Sequence, residues 1–319
     1  MLTSLLFLLL GLVVLLAAGE CLVRGAASLA KLANVPPLII GLTVVAFGTS
    51  APELVVTIQA VAGDAAGIAM GNIVGSNIAN VLLVLGLPAC IMPIAMVVPK
   101  LKRHAVALLL ATAVFCGMVY WNGEVGLPEA IVFTLGMVAY FSLMAIEARS
   151  GHADAALEAE GILVEKPGIP QTIALTALGL IGLPIGATLL VTNGSEVASL
   201  MGVRDEVIGL TVVAFGTSLP ELATVLAAAL RRDASVSAGT IIGSNIFNML
   251  FVGSAAGYVG TSTFSETALR LDLPVMLGAT ALITGLIFMR RDFGRTIGLL
   301  SITAYVAYIL YTGLWAGAA

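Results

Sequence analysis

Two glutamates, Glu53 and Glu221, stand in stretches otherwise almost free of charge, and each is surrounded in sequence by oxygen. Thr49, Ser50 and Pro52 lead up to the first; Thr217, Ser218 and Pro220 lead up to the second. Beyond them come Asn72, Ser76, Asn77 and Asn80, answered by Ser244, Asn245 and Asn248. A carboxylate in the middle of an apolar span costs about 2.5–3.5 kcal/mol on insertion scales, so two of them signal function. Neither stretch offers Lys or Arg at matching depth, which leaves protons, water or bound cations to meet the charge. Carboxylates, hydroxyls and amide or backbone carbonyls all ligate through oxygen, and such a set suits a hard cation.

The two clusters are copies. Residues 41–50 recur letter for letter at 209–218, and across 41–80 there are 22 identities in 40 at a constant offset of 168. Pro52 and Pro220 cannot donate the helical hydrogen bond four residues back, and Gly48 and Gly216 add backbone freedom. Together they predict helix breaks at 46–50 and 214–218, with carbonyls freed to face a protein-lined cavity. Ser76 and Asn80 are four apart and share a helix face, as do Ser244 and Asn248. A lone Ser or Thr in a membrane helix commonly bonds back to its own backbone. Here the hydroxyls flank a proline, a glycine and an acid, twice, which favours ligation. Gly71/Gly75 and Gly239/Gly243 have the spacing of close helix packing. Asn77 and Asn245 are compatible with either helix–helix hydrogen bonding or cation contact. Glu20 and Glu196 are placed near span ends, and His104 and His152 in solvated loops.

The elements that hold these residues follow from hydropathy. The chain of 319 residues is 60% hydrophobic and 10% charged, with a mean hydropathy of +1.10, which indicates an all-α polytopic membrane protein. Ten spans are expected, near 2–20, 38–62, 71–92, 104–121, 128–146, 170–192, 206–230, 238–259, 273–290 and 297–315, the first with helical character beyond residue 20. The opening segment reads as a retained helix, since no basic residue precedes it and no small-residue cleavage site follows. Residues 147–168 form a polar linker, expected on the cytoplasmic side, between an N-terminal five-helix repeat (1–146) and a C-terminal one (169–319). With both termini outside, the cytoplasmic connections carry twelve of the fourteen Lys and Arg residues, which sets the orientation. Five spans per half invert the second half, so the turn at Asp64 faces out and its repeat at Arg231, Arg232 and Asp233 faces in. The fold expected is ten transmembrane helices in two inverted five-helix repeats, with helices 2 and 7 broken. Cys21, Cys90 and Cys116 are irregularly spaced beside apolar spans and read as packing residues. No basic tract indicates nucleic acid.

The strings 48–53 (GTSAPE) with 71–77 (GNIVGSN), and 216–221 (GTSLPE) with 243–245 (GSN), resemble the two alpha repeats of the cation/calcium exchanger superfamily, of the prokaryotic sodium/calcium exchanger type. The repeats would span about 41–85 and 209–253. The resemblance implies a cell-membrane antiporter with four central cation sites in a diamond, working as a single chain in the lipid bilayer with no cofactor beyond the transported Ca²⁺ and Na⁺. Carried over residue by residue, it implies a calcium site from the carboxylates of Glu53 and Glu221 and the carbonyls of Thr49 and Thr217. Sodium sites would use Ser50, Ser76, Ser218 and Ser244 with the carbonyls of Ala46 and Ala214, and a fourth position would lie near Asn80 and Asn248. Some relatives carry an Asp at one of those last two places. With Asn at both, Ca²⁺ neutralises the site and three Na⁺ leave one positive charge, which favours electrogenic 3:1 exchange.

Four functions compete on the sequence: Ca²⁺/Na⁺ antiport, Ca²⁺/H⁺ antiport on the same scaffold, a cation channel, and an intramembrane hydrolase using Ser50 or Ser218. Channels tend to build their filters from several subunits, whereas this chain carries both halves of one site. The hydrolase lacks a His or Lys within the spans to act as base.

Overall fold

The computed structural model describes residues 2–149, 168–200, 216–266 and 268–316. Apolar runs form long helices: α1 (Leu2–Ala33), α4 (Ala66–Ile91), α5 (Leu101–Asn122), α6 (Leu127–Arg149), α7 (Ile169–Leu200), α9 (Ala234–Val259) and α10 (Ala268–Met289). These seven are long and apolar enough to cross a membrane. α2 (Pro37–Thr49) and α3 (Ala51–Ala62), bent by 43° at Ser50, make an eighth if counted as one span. The shorter α8 (Leu219–Leu230) and the terminal α11 (Arg295–Ala316) complete the helices among the described residues. The expected lead-in to α8, residues 206–215, lies outside them, as do Ala214 and most of the linker.

Helix ends depart from the apolar runs where charges find partners. α1 continues to Ala33 because Glu20 pairs with Arg24 one turn on and with Arg231 after α8. α1 and α7, each 32 residues, lie closely against one another. A Cβ on Gly179 would come within 2.7 Å of Leu22 backbone atoms, and one on Gly25 within 2.7 Å of the Thr176 nitrogen, so only glycine allows this approach.

The sequence repeat is also a structural one. α3 and α8 occupy residues that differ by 168, and Ser50 (φ −86°, ψ 6°) matches Ser218 (φ −85°, ψ 2°). Asp64 and Arg232 both adopt left-handed turns, with φ of 56° and 59°. α4 and α9 each contain a single π turn, at Asn80–Val84 and Asn248–Val252. Short antiparallel pairings lace loops of the two halves together. Ile94 bonds Phe293 in one, and strand β1 (Glu124–Val125) meets β2 (Ser262–Thr263) in the other, with Val125 opposite Ser262. Adding 168 to Ile94 gives Ser262 and subtracting it from Phe293 gives Val125, so the repeat maps one pairing onto the other.

The packing core runs through α4, α5, α6, α9 and α10, and includes Ile73, Phe115, Phe133 and Phe247. Gly239 and Gly243 approach α2 at Leu38, Gly41 and Leu42, as their spacing predicts. The equivalent partners of Gly71 and Gly75 fall at residues 206–214, outside the described residues. His104 departs from expectation: it is fully buried, held between Glu147 (3.1 Å) and Tyr140 (3.3 Å).

Candidate functional site

α3 and α8 both begin with a serine N-cap and a proline in the first turn, where proline's missing N–H is harmless. That arrangement puts Glu53 and Glu221 in the first turn of their helices, where the macrodipole favours negative charge. Both carboxylates are fully buried. Thr49, Ser50, Ser76, Ser218, Ser244, Asn80 and Asn248 are buried with them, and Thr217 is half-buried.

The site is knitted across the two copies. The Ser50 hydroxyl donates to Glu221 Oε1 at 3.0 Å, and Ser244 donates to the same oxygen at 3.4 Å. Thr49 Oγ1 lies 3.4 Å from Ser244 Oγ. Asn80 Nδ2 donates to Asn245 Oδ1 at 3.0 Å, and Asn248 Nδ2 to Ser76 Oγ at 3.0 Å. Asn245 spends its own N–H on the Asn77 carbonyl (3.3 Å), so its amide is committed to helix–helix bonding. Asn77 Nδ2 turns to the Ile73 carbonyl of its own helix at 2.7 Å.

What stays unbonded is a set of oxygens. Both carboxylate oxygens of Glu53, Glu221 Oε2, Ser218 Oγ, Asn80 Oδ1 and Asn248 Oδ1 are buried with no hydrogen-bond partner among the described residues. A buried acceptor without a donor costs about 1–3 kcal/mol, more when charged, so such a cluster favours a bound cation or water. Among the described residues no three His, Cys, Asp or Glu side chains form a metal cluster. The chemistry offered is two carboxylates supplemented by hydroxyls and amides, an oxygen-only set for a hard cation.

Two expectations need correction. The break is a single-residue kink at Ser50, and 46–49 stays helical. The Ala46 carbonyl is therefore occupied, accepting from the Ser50 amide (3.0 Å) and from Thr49 Oγ1 (3.3 Å). Pro52 has no N–H to offer the Gly48 carbonyl, so the backbone oxygen released by the proline is Gly48's. Ser76 also donates its hydroxyl to its own helix, at the Asn72 carbonyl (2.6 Å), while accepting from Asn248.

Sequence reasoning missed the part played by Asn72. Its amide bonds the Glu53 carbonyl (3.0 Å) and Thr57 Oγ1 (2.9 Å), fastening α3 to α4 beside the carboxylate. The other copy has Thr240, whose hydroxyl is buried and unbonded, and Thr224 turns to the Pro220 carbonyl. The signal was present: within the strings 48–53 and 71–77, position 72/240 is the one polar position at which the motif copies differ, Asn against Thr.

The family model for the sodium/calcium exchanger protein matches residues 3–146 and again 171–314. The chain belongs to this family. It is a multi-pass membrane protein of the exchanger type, a cation antiporter. The sodium/calcium exchanger MaX1 of Methanosarcina acetivorans is 32% identical, over 96% of this chain and 97% of its own. The inner membrane protein YrbG of Escherichia coli is 31% identical, over 97% and 96%. The solved structure of the sodium-calcium exchanger NCX_Mj, soaked with Na⁺ and Sr²⁺, superimposes with a TM-score of 0.84 at 30% identity, covering 96% of this exchanger and 97% of its own chain.

Proposed function

We propose that this exchanger moves Ca²⁺ against Na⁺ by alternating access, in two inverted five-span halves with the cation site between them. The observation that carries the reading is the buried, cross-bonded oxygen cluster built from both copies of the motif, with Glu53 and Glu221 at its centre. Ca²⁺ is held by the two carboxylates with the Thr49 and Thr217 carbonyls. Na⁺ is held at Ser50, Ser76, Ser218 and Ser244 with the carbonyls of Ala46 and Ala214, of which Ala46 is the weakest candidate because its lone pairs are engaged. Asn80 and Asn248 turn unbonded amide oxygens toward a fourth position. The matched loop pairings, π turns and serine kinks support the inverted repeat, and the names of MaX1 and NCX_Mj support sodium as the coupling ion.

We place the protein in the cell membrane with both termini outside, acting as a single chain. The test is Ca²⁺ uptake into proteoliposomes under an imposed Na⁺ gradient at fixed pH, and under a pH gradient without Na⁺. Uptake driven by Na⁺ alone supports the reading. Uptake driven only by the pH gradient replaces it with Ca²⁺/H⁺ antiport, in which the glutamates carry protons.

A further inference from the structure

The loop before α5 and the end of α10 border an open cavity of about 570 Å³, with neither glutamate in its lining. Four cations line it: Lys100, Lys102 and Arg103 around the start of α5, and Arg290 just past α10. The remaining wall is apolar, formed by residues 96–99 and Ile287. Its two sides are fixed to each other by the paired backbone bonds between Ile94 and Phe293 (3.1 and 2.9 Å). α5 starts from Lys100 in a left-handed conformation (φ 63°), and no side chain caps its positive end.

Membrane orientation explains why Lys and Arg collect on this face, but it does not require them to converge on one cavity. The opposite end of the fold provides the comparison. The repeat replaces Lys100, Lys102, Arg103 and Arg290 by Ala268, Arg270, Leu271 and Asn122. The one cation kept there, Arg270, is neutralised by Glu266 at 2.6 Å. By contrast, Lys102 and Arg290 have no acidic partner among the described residues, and Arg103 shares Glu147 with His104 while 66% of its side chain stays exposed. Exposed apolar residues adjoin the cations: Val97, in the lining, is 49% exposed, and Phe288 (42%) and Met289 (70%) directly precede Arg290 in the chain. A cleft that sets exposed cations beside exposed apolar residues matches a ligand that is anionic at one end and apolar at the other.

We propose that this cavity binds the headgroup phosphate of an anionic phospholipid, with Lys102, Arg290 and Arg103 on the phosphate and the acyl chains along Val97 and Met289. The site is independent of which ions the exchanger couples. Each cation near an anionic headgroup contributes roughly a fivefold gain in affinity, so Lys102→Gln/Arg290→Gln is expected to lower lipid affinity by about twenty-five-fold. The experiment is native mass spectrometry of the purified full-length chain with added phosphatidylglycerol or phosphatidylcholine. Wild type should retain phosphatidylglycerol selectively. So should Arg232→Gln, an exposed cation after α8 that does not line the cavity. The charge-preserving Lys102→Arg/Arg290→Lys should also retain it, which separates loss of charge from loss of fold. Equal retention by the double Gln variant and Arg232→Gln overturns the proposal. So does displacement of the lipid by millimolar inorganic phosphate, which would make the cavity a site for soluble anions.

Discussion

The two glutamates are chemically alike but differently held. Glu221 receives hydroxyl hydrogen bonds from Ser50 and Ser244, whereas neither oxygen of Glu53 has a donor among the described residues. Glu221 is therefore the more fixed in place. Each supplies half of the site's charge and a ligand able to bind through two oxygens, so Glu53→Gln and Glu221→Gln should each cut Ca²⁺ transport about a hundredfold or more while the protein stays folded. Normal flux in either purified, monodisperse variant refutes the central site. The serines are graded by their hydrogen bonds. Ser50 donates to a carboxylate, an interaction worth about 1.5–3 kcal/mol, so Ser50→Ala should weaken apparent ion affinity by about ten- to a hundredfold. Ser76 gives its proton to its own backbone and offers the site only a lone pair shared with Asn248. Ser76→Ala should accordingly cost clearly less, and equal losses for the two serines would show that back-bonding does not set their roles.

At the scale of elements, the chain builds its closest helix contact by omitting side chains. The Leu22 backbone leaves no room for a Cβ on Gly179, so Gly179→Leu must drive α1 and α7 apart or strain them. Overpacking of this kind costs about 1–3 kcal/mol, and the variant should unfold at a lower temperature in detergent. Gly117→Leu, where a Cβ meets nothing within 4 Å, is the matched control. If both variants melt alike, the α1–α7 contact does not limit stability. These elements were legible to different depths. The apolar runs located the helices, and the repeated motif located the site, because burial of an acid leaves a mark in one dimension. The extension of α1 to Ala33 was only half legible, since the pairing of Glu20 with Arg231 spans 211 residues. His104 looked like a loop residue for the same reason: Glu147 and Tyr140, which bury it, lie 43 and 36 residues away. Proline and glycine announced a break in span 2 within 46–50, but not that it narrows to one residue. The kink sits at Ser50, and an unannounced π turn relaxes the helix before it at Gly41–Val45.

For the whole molecule, inversion and charge each make a measurable demand. If the halves are inverted, Asp64 and Arg232, which occupy equivalent left-handed turns, lie on opposite sides of the membrane. Asp64→Cys should react with an impermeant thiol reagent from outside and Arg232→Cys only from inside; labelling of both from one side refutes the inverted topology. The charge demand follows from having two central carboxylates with neutral amides at Asn80 and Asn248. A site of charge −2 carries no net charge with Ca²⁺ and one positive charge with three Na⁺. Moving one charge through the membrane field is worth about 2.3 kcal/mol per 100 mV, so potential should drive the sodium-loaded step and leave the calcium-loaded step alone. Ca²⁺/Ca²⁺ self-exchange should then be indifferent to a potassium-valinomycin potential, while Na⁺/Ca²⁺ exchange responds to it. Asn248→Asp inverts the assignment. At alkaline pH, with the new acid ionised, the site holds −3, the calcium-loaded form carries one negative charge and the sodium-loaded form none. Self-exchange in this variant should become sensitive to potential. The reversal potential of Na⁺/Ca²⁺ exchange should not change, because it depends on the number of ions coupled and not on fixed charge. Voltage-sensitive self-exchange in the wild type would mean that the two glutamates are not the whole charge of the site. Voltage-insensitive self-exchange in the variant would mean that residue 248 lies outside the path of the ions.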